Sequence, residues 1–372
     1  MVKVLHFVSK MDRAGQETFL MNVMRNIDRS KVRFNFLCSS EGSGDYDEEI
    51  VRLGGGIFHL PAIRPCGNKF KRIRKAICVI RDWLLANKDK YDIVHLHTYH
   101  NLDVWAHLEA CRQAGVRHVI IHSHNTNGPH VYAHKALGWI CKHFYRFDKF
   151  ACSKEAGEWL FGKRSVAKGE VSVIANGIDI EAYAYDKETA QRKKDELDIK
   201  GLTVIGHIGR FSAQKNHRFL LEVFAEYLNT DPNSVLMLIG RGELETQIRQ
   251  QASDMKISDK VMFMGVRSDV PELLSAMDVF VFPSLYEGLG IVLIEAQCAK
   301  LPVIASDNIP EEAVISSGIV LKKTENATDW ADEIKKLVGI DRERIDLLDN
   351  ASSFDIKAVA RRLEEFYVGK IA

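Results

Sequence analysis

Residues Val279 to Ser306 read V-F-V-F-P-S-L-Y-E-G-L-G-I-V-L-I-E-A-Q-C-A-K-L-P-V-I-A-S. The first four residues are β-branched or aromatic, which predicts a buried strand ending before Pro283. A glycine-containing loop, an apolar helix and a second short strand at Pro302–Ala305 follow. A strand, a helix and a strand in this order form a βαβ unit, so this stretch predicts a parallel sheet.

The loop of this unit has the features of an anion-binding site. Gly288 and Gly290 lack side chains where backbone N–H groups would approach a ligand, and a helix N-terminus adds partial positive charge. If the helix begins near Gly288, Glu295 faces the same side as Glu287. Glu287 as a helix N-terminal charge and Glu295 as a solvated surface residue are the alternative. We favour the site, because Glu295 lies in an otherwise apolar run and a buried carboxylate needs a partner.

The rest of the chain repeats this alternation of short apolar runs and amphipathic stretches. At 372 residues the chain is too long for one ordinary core, so we predict two parallel-sheet α/β domains. The predicted strands are Val2–Val8, Phe34–Leu37, Ile57–Leu60, Ile93–Leu96, His118–His122, Phe150–Cys152, Val171–Ile174, Thr203–Ile208, Val235–Ile239, Val261–Met264, Val279–Phe282 and Pro302–Ala305. The predicted domains are residues 1–180 and 181–353, with a C-terminal helix at about 354–372 that packs back on the first.

Composition indicates a globular protein of the cytoplasm. The chain is 46% hydrophobic and 27% charged, and its seven cysteines are scattered without a C-x-x-C pair. We identify neither a signal peptide nor an apolar stretch of membrane-spanning length. Residues 1–185 contain 27 Lys and Arg against 19 Asp and Glu, whereas residues 186–372 contain 24 Lys and Arg against 31 Asp and Glu. A basic first half indicates an anionic substrate or surface on that side, and nothing indicates nucleic acid.

Loops at the strand ends of the second half carry basic residues. Each of the three strands before Val279 has a glycine at its carboxyl end. Together with the loop after Phe282, four loops are therefore expected at one edge of a parallel sheet. The first loop, G-R-F-S-A-Q-K-N-H, contains Arg210 and Lys215. A guanidinium and an ammonium opposite the backbone of residues 287–290 would suit a diphosphate.

Histidines crowd the first half, and they leave a second function class open. On a strand, H-x-H places both rings on one face, so His95 with His97 and His122 with His124 could each be half of a metal site. A metal-dependent hydrolase is therefore the alternative function. The objection is the scarcity of nearby carboxylates, and His124 also ends a strand at the edge where ligands of parallel sheets bind.

A basic amphipathic helix is predicted at Lys69–Trp83. Its apolar residues recur at helical spacing and are expected to face the core. Five cations cluster at one end of this helix, which indicates contact with an anionic membrane surface. These cations are Lys69, Lys71, Arg72, Arg74 and Lys75.

Taken together, the motifs E-G-L-G-I-V-L-I-E, G-R-F-S-A-Q-K-N, V-I-A-N-G-I-D and A-G-Q-E resemble those of family 4 retaining glycosyltransferases. The similarity runs over nearly the whole chain and is strongest from Val171 to Pro310. The resemblance implies the GT-B fold, in which two Rossmann-like doubly wound domains face an interdomain cleft. The tracts A-C-S-K-E-A-G-E-W-L-F-G and H-S-H-N are similar to the branch that builds capsule and exopolysaccharide repeat units.

The resemblance also implies roles for individual residues. Glu287 would contact the donor sugar, Glu295 the ribose hydroxyls, and His124 would be the active-site histidine of the first domain. The other implied nucleotide-sugar-binding residues are Gly15, Arg210, Lys215, Val266, Gly288, Leu289 and Gly290. Alanine stands at Ala14 where many members have glycine, and at Ala175 where many have proline.

The implied reaction transfers a hexose or N-acetylhexosamine from a nucleotide-diphosphate sugar, with UDP as the expected nucleotide. The expected acceptor is a growing glycan or lipid-linked oligosaccharide. No metal or other cofactor is expected, because Arg210, Lys215 and a helix N-terminus can meet the charge of the leaving group. We predict a front-face displacement, in the cytoplasm or at the inner face of the plasma membrane.

Overall fold

A computed structural model describes residues 1–13, 15–61, 69–98, 101–124 and 131–372. The chain divides into two compact units. The first contains Met1–Ile178 and Ser353–Ala372, and the second contains Asp179–Ser352.

The first unit is a seven-stranded sheet whose strand pairs are all parallel. Its strands are β1 (Val2–Val8), β2 (Val32–Cys38), β3 (Gly56–His59), β4 (Ile93–Thr98), β5 (His118–Ser123), β6 (Asp148–Ala151) and β7 (Ser172–Val173). Their order in the sheet is β3-β2-β1-β4-β5-β6-β7. The change of direction between β1 and β4 is that of a doubly wound fold, in which ligands bind at the carboxyl ends of the strands.

Helices cover both faces of this sheet. They are α1 (Gly15–Asn26), α2 (Asp47–Arg52), α3 (Lys69–Ala86), α4 (Asn101–Ala114), α5 (Val131–Phe144), α6 (Lys154–Phe161), α7 (Lys163–Ala167) and, from the C-terminus, α14 (Ile356–Ile371). One core cluster joins the sheet to α1 and α14, and another joins it to α3 and α4. The sequence pattern of hydrophobic residues on both faces of the strands is therefore explained by helices on both sides.

The return of the chain to the first unit depends on a close backbone approach. Ile178 forms a parallel bridge with Asp355, and a Cβ at Gly177 would lie 3.0 Å from the Ile356 Cα. Only a residue without a side chain avoids this contact. The Asn176-Gly177 pair, a turn signal in the sequence, thus seats the start of α14 against the first unit.

The second unit is a six-stranded sheet, also with parallel pairs. Its strands are β8 (Thr203–Ile208), β9 (Ser234–Ile239), β10 (Val261–Gly265), β11 (Val279–Phe282), β12 (Val303–Ser306) and β13 (Ile319–Lys322), in the order β10-β9-β8-β11-β12-β13. Its helices are α8 (Lys187–Glu196), α9 (His217–Leu228), α10 (Glu245–Asp254), α11 (Val270–Ala276), α12 (Ile291–Cys298) and α13 (Ala327–Leu337).

The strand predicted at Val279–Phe282 has these bounds in the structure, and all four residues are buried. It lies at the centre of the sheet, between β8 and β12. The edge strand β13 was missed by the sequence analysis, because it is only partly buried and lacks a long apolar run. Within the part of the chain that the structure describes, no helix combines the length and apolarity needed to cross a bilayer.

Candidate active site

The loop between β11 and α12 carries the first predicted carboxylate. α12 begins at Ile291, after Gly290 in the left-handed region at φ 75°. The expectation that the helix begins near Gly288 is therefore wrong, and Glu287 does not share a helical face with Glu295. The positive φ at Gly290, which other residues adopt only under strain, delays the helix. The first N–H groups of α12 have no intrahelical acceptor, which leaves them for a ligand.

Glu287 and Lys215 form an ion pair at this loop. Lys215 Nζ lies 2.6 Å from Glu287 Oε1, and the two side chains are 14% and 6% exposed. The ammonium also lies 4.6 Å from the centroid of the Phe282 ring. Gln214 Nε2 donates to Glu287 Oε2 at 3.3 Å and to the Tyr286 carbonyl at 2.9 Å. Two residues singled out separately in the sequence are thus held together by tertiary structure.

The carboxyl ends of the strands are joined by close backbone contacts, which confirms the prediction that four loops meet at one edge. Gly240 N donates to the Gly265 carbonyl at 2.8 Å, and a Cβ at Gly240 would lie 2.1 Å from the Gly209 oxygen. Leu285 N donates to the Gln214 carbonyl at 2.8 Å, which ties the loop after β11 to the loop after β8. Glycine at position 240 is therefore a packing requirement of this edge.

Two of the predicted binding residues stand apart from the buried ion pair. Arg210 lies at the same edge, but its side chain is 73% exposed and Nη2 pairs with Glu243 Oε2 at 3.1 Å. Val266 follows Gly265 and is 65% exposed. Leu289 is buried, and a Cβ at Gly288 would meet nothing within 4 Å. The space beside Gly288 is therefore open.

Glu295 lies on α12, and its partner is Tyr183. The tyrosine hydroxyl donates to Glu295 Oε1 at 2.8 Å. Burial raises the pKa of Glu295 to about 7, and the hydrogen bond from Tyr183 offsets part of that rise. The prediction that this carboxylate has a partner is confirmed, and the residue as a whole is half-buried. Tyr183 was missed, because one tyrosine in a short polar segment far along the chain carries no local signal.

In the first unit, two predicted site residues lie near the carboxyl edge of the sheet. Gly15 is the first residue of α1, and a Cβ there would meet nothing within 4 Å. His124 directly follows β5, and its ring lies 6.2 Å from that of Phe19 on α1. Ala14 lies outside the described residues.

The two H-x-H pairs belong to one stack of imidazoles. His95 and His97 on β4 have ring centroids 4.4 Å apart, and His122 and His124 have centroids 4.2 Å apart. His6 on β1 joins them, with its ring 5.1 Å from that of His95. The expectation that each pair shares a face is confirmed. His6 was missed, because strand pairing rather than spacing brings it to the stack.

Nitrogen atoms in this stack approach closely enough to hold a metal ion in two groups, His6–His95–His97 and His97–His122–His124. Burial lowers the pKa of His6 to about 3 and that of His124 to about 3, so these rings are neutral. Both groups consist only of histidines among the described residues, without the carboxylate that hydrolytic metal sites commonly include.

Comparison with known proteins decides the family. A family model described as Glycosyltransferase Family 4 matches residues 13–182, and one described as Glycosyl transferases group 1 matches residues 188–353. EpsF of Bacillus subtilis (strain 168), named as a glycosyltransferase, is 35% identical over 357 residues, which cover 92% of this chain and 89% of EpsF. The chain belongs to the family 4 glycosyltransferases.

Two further relatives place this glycosyltransferase in the branch that serves capsule and exopolysaccharide biosynthesis. The capsular polysaccharide biosynthesis glycosyltransferase CapH of Staphylococcus aureus is 26% identical and covers 100% of this chain and 99% of its own. The UDP-Gal:alpha-D-GlcNAc-diphosphoundecaprenol alpha-1,3-galactosyltransferase of Escherichia coli is 29% identical over 82% of this chain and 79% of its own. The resemblance inferred from the motifs is confirmed, and the glycosyltransferase takes part in polysaccharide biosynthesis.

A solved structure matches the fold of this glycosyltransferase. HepE from Anabaena, in complex with UDP-glucose, aligns with a TM-score of 0.73 at 18% identity, over 100% of this chain and 99% of HepE. The predicted GT-B fold, with two Rossmann-like parallel-sheet domains, is confirmed. The metal-dependent hydrolase has no support from any of these relatives.

The raised pKa of Glu295 predicts a pH-dependent stability of this glycosyltransferase. Because its folded-state pKa of about 7 exceeds the ordinary value of 4.5, Glu295 stabilises the fold fully only below about pH 4.5 and loses that contribution as pH rises through 7. We expect Glu295→Gln to match the wild type in free energy of unfolding near pH 4.5 and to exceed it at pH 8. Chemical denaturation at both pH values measures this, and a difference between the two proteins that does not vary with pH would contradict it.

Proposed function

We propose that this chain is a retaining glycosyltransferase that transfers a hexose or N-acetylhexosamine from a UDP-sugar to a growing, lipid-linked surface polysaccharide precursor. The observation that carries the proposal is the buried Lys215–Glu287 pair at the carboxyl edge of a parallel sheet, next to the start of α12. The names of the relatives support the substrates. The Escherichia coli relative is named for a UDP-galactose donor and a diphosphoundecaprenol acceptor, and HepE was solved with UDP-glucose.

In this proposal the ion pair receives the donor. An ammonium has three N–H donors, so Lys215 can keep its bond to Glu287 while it donates to a phosphate oxygen. Glu287 retains lone pairs for the hydroxyl groups of the sugar, since a carboxylate can accept about four hydrogen bonds. The pair therefore spans the bond that breaks, with the cation on the side of the leaving group.

Arg210 and the N-terminus of α12 also contribute positive charge that would act on the leaving diphosphate. The Arg210–Glu243 pair is exposed to solvent, and such pairs contribute little free energy, so the guanidinium can exchange Glu243 for a phosphate. Partial positive charge at the start of α12 acts on the same group. Together these donors would stabilise the nucleotide diphosphate as it leaves, which is why we propose a reaction without a metal cofactor.

Glu295 and Val266 are proposed to hold the nucleoside. The ribose hydroxyls would replace Tyr183 as hydrogen-bond donors to Glu295, and the backbone of Val266 would meet the base. For retention, we propose a front-face displacement in which the leaving phosphate takes the proton of the acceptor hydroxyl. A glycosyl adduct trapped covalently on Glu287 would contradict this mechanism.

The first experiment is a thermal-shift screen of UDP, GDP and ADP, followed by transfer assays with the corresponding sugars. We expect UDP to raise the melting temperature most, and we expect activity to persist in EDTA. The anomeric configuration of the product, determined by NMR, tests retention. Loss of activity in EDTA that a divalent metal restores would overturn the metal-independent mechanism, and an inverted product would overturn retention.

A membrane surface is proposed as the site of action. The apolar residues Ile77 and Ile80 of α3 are buried in the core, whereas Arg72, Arg74 and Lys75 at its start are exposed. The apolar stripe thus belongs to the fold, and the cations remain available for anionic headgroups. The side chain of Lys69, also predicted to take part, lies outside the described residues.

We expect Arg74→Ala/Lys75→Ala to weaken binding to phosphatidylglycerol-containing vesicles by about tenfold to thirtyfold, because each basic residue near such a surface contributes about 1 kcal/mol. Co-sedimentation at low salt measures the effect. Lys335→Ala/Lys336→Ala removes an adjacent pair of exposed lysines from α13 and should leave binding unchanged. Equal losses in the two variants would point to nonspecific attraction instead.

A further inference from the structure

Three of the stacked histidines form a hydrogen-bonded chain that ends at the predicted active-site histidine. His6 Nδ1 lies 2.9 Å from His97 Nε2, and His97 Nδ1 lies 2.9 Å from His124 Nε2. The chain therefore runs from β1 through β4 to the end of β5. His95 belongs to the same stack but bonds elsewhere, with Nδ1 2.8 Å from the Tyr367 hydroxyl.

These two hydrogen bonds make the tautomers of His6, His97 and His124 depend on one another. Burial lowers the pKa of all three imidazoles, so each ring is neutral and carries one N–H. Both hydrogen bonds form only if the donating rings all donate toward the same end of the row, either toward His124 or toward His6. In one pattern His6 Nδ1–H and His97 Nδ1–H donate toward His124, which then carries its own proton on Nδ1. In the opposite pattern His124 Nε2–H and His97 Nε2–H donate toward His6, whose Nε2 then carries a proton.

The two ends of the chain differ in what can satisfy the last donor. His6 is 1% exposed and packs against Phe34 and Phe36, and its Nε2 has no hydrogen-bond partner among the described residues. His124 Nδ1 is likewise buried and lacks a partner in the described part of the chain, but the His124 residue as a whole is partly exposed and lies at the carboxyl edge of the sheet, where ligands of such folds bind. A buried N–H without an acceptor is costly, so the pattern that places the last N–H on His124, at the partly exposed edge of the sheet, is favoured over the pattern that places it on His6 among aromatic rings.

We propose that His6 and His97 are positioning residues that hold His124 as the Nδ1–H tautomer, so that His124 offers a hydrogen-bond donor to an oxygen of a substrate bound at the carboxyl edge of the first unit's sheet. A histidine held in this way has no lone pair on Nδ1, so it does not act there as a general base. The ligand in this proposal rests on the proposed function, whereas the tautomer itself does not.

The tautomer can be measured without any substrate. In protein labelled with ¹⁵N-histidine, long-range ¹H–¹⁵N correlation spectra distinguish protonated from unprotonated ring nitrogens, and His124→Asn assigns the His124 signals among the 14 histidines. We expect His124 to carry its proton on Nδ1 in the intact protein. In His97→Phe, which removes both hydrogen bonds of the chain, the population should move to Nε2–H. A His124 ring that is protonated on Nε2 in the wild type overturns the proposal.

Kinetics provide a second, independent test. If His97 acts through His124, then His97→Phe should lower kcat/KM by about tenfold, the effect of one lost neutral hydrogen bond, and should have no further effect when His124 is already alanine. His97→Gln retains a donor and an acceptor and should recover part of the loss. Additive effects of His97→Phe and His124→Ala overturn the positioning role.

Tyr367→Phe is the matched control, because it removes one hydrogen bond from the same stack without touching the chain to His124. Its effect should be additive with that of His124→Ala. If His97→Phe does not fold, His6→Phe breaks only the far link and is tested in the same cycle. If no nucleotide sugar is bound or transferred, the proposed function fails, and the spectra of the ligand-free protein still decide the tautomer.

Discussion

Replacing Glu287 by alanine should lower kcat/KM for sugar transfer by about 10²–10³-fold, because the carboxylate is proposed to bind the sugar as charge develops on it. The same change leaves Lys215, only 14% exposed, without its anion. The ammonium still lies over the Phe282 ring and can turn toward solvent, so the fold should survive with a loss of about 1–3 kcal/mol. Transfer assays with the best UDP-sugar and chemical denaturation measure the two effects.

Glu243→Ala is the control for this prediction, since it removes the carboxylate of an ion pair whose side chains are 73% and 54% exposed. Exposed pairs contribute little, so its stability should stay within about 0.5 kcal/mol and its activity within about twofold of the wild type. If Glu287→Ala retains transfer at the wild-type rate, Glu287 does not contact the sugar.

Replacing Lys215 by methionine should have the largest combined effect on activity and stability. The change removes the cation proposed to meet the leaving diphosphate, so kcat should fall by about 10²–10³-fold. It also leaves Glu287, at 6% exposure, as an unpaired buried carboxylate, which costs about 3–5 kcal/mol. Steady-state kinetics and denaturation are again the measurements.

The double variant Lys215→Met/Glu287→Gln separates the two effects of Lys215→Met. With neither charge present, no buried charge is left unpaired, so stability should recover to near that of the wild type. Activity should not recover, because the diphosphate still lacks its cation. Recovery of activity together with stability would show that Lys215 serves the fold rather than the reaction.

Several features of the site could be read from local sequence. The apolar run Val279–Phe282 predicted the central strand with its observed bounds, because every side chain of a central parallel strand is buried. Glycines at strand ends predicted the edge where the loops meet. Glu295 was predicted to be buried with a partner, because a carboxylate inside an apolar run has few other environments.

Contacts between distant segments could not be read in this way. Tyr183 and Glu295 are separated by 112 positions, and His6 and His97 by 91. Side-chain spacing on one strand predicts which of its residues share a face, but the register between strands decides which residues of another strand join them. The start of α12 was also predicted too early, near Gly288 instead of Ile291. A glycine in the sequence does not by itself show whether the loop continues or the helix begins at that residue.

The sequence by itself determined the two parallel-sheet domains, the family and the residue types at the edges of the sheets, because periodicity and motifs are local properties of the chain. Only the tertiary structure decided that Lys215 pairs with Glu287, that Tyr183 holds Glu295 and that His6 reaches His124 through His97. Each of these contacts joins segments that strand order and backbone packing bring together. Burial at those contacts then sets the protonation of Glu295 and of the histidines.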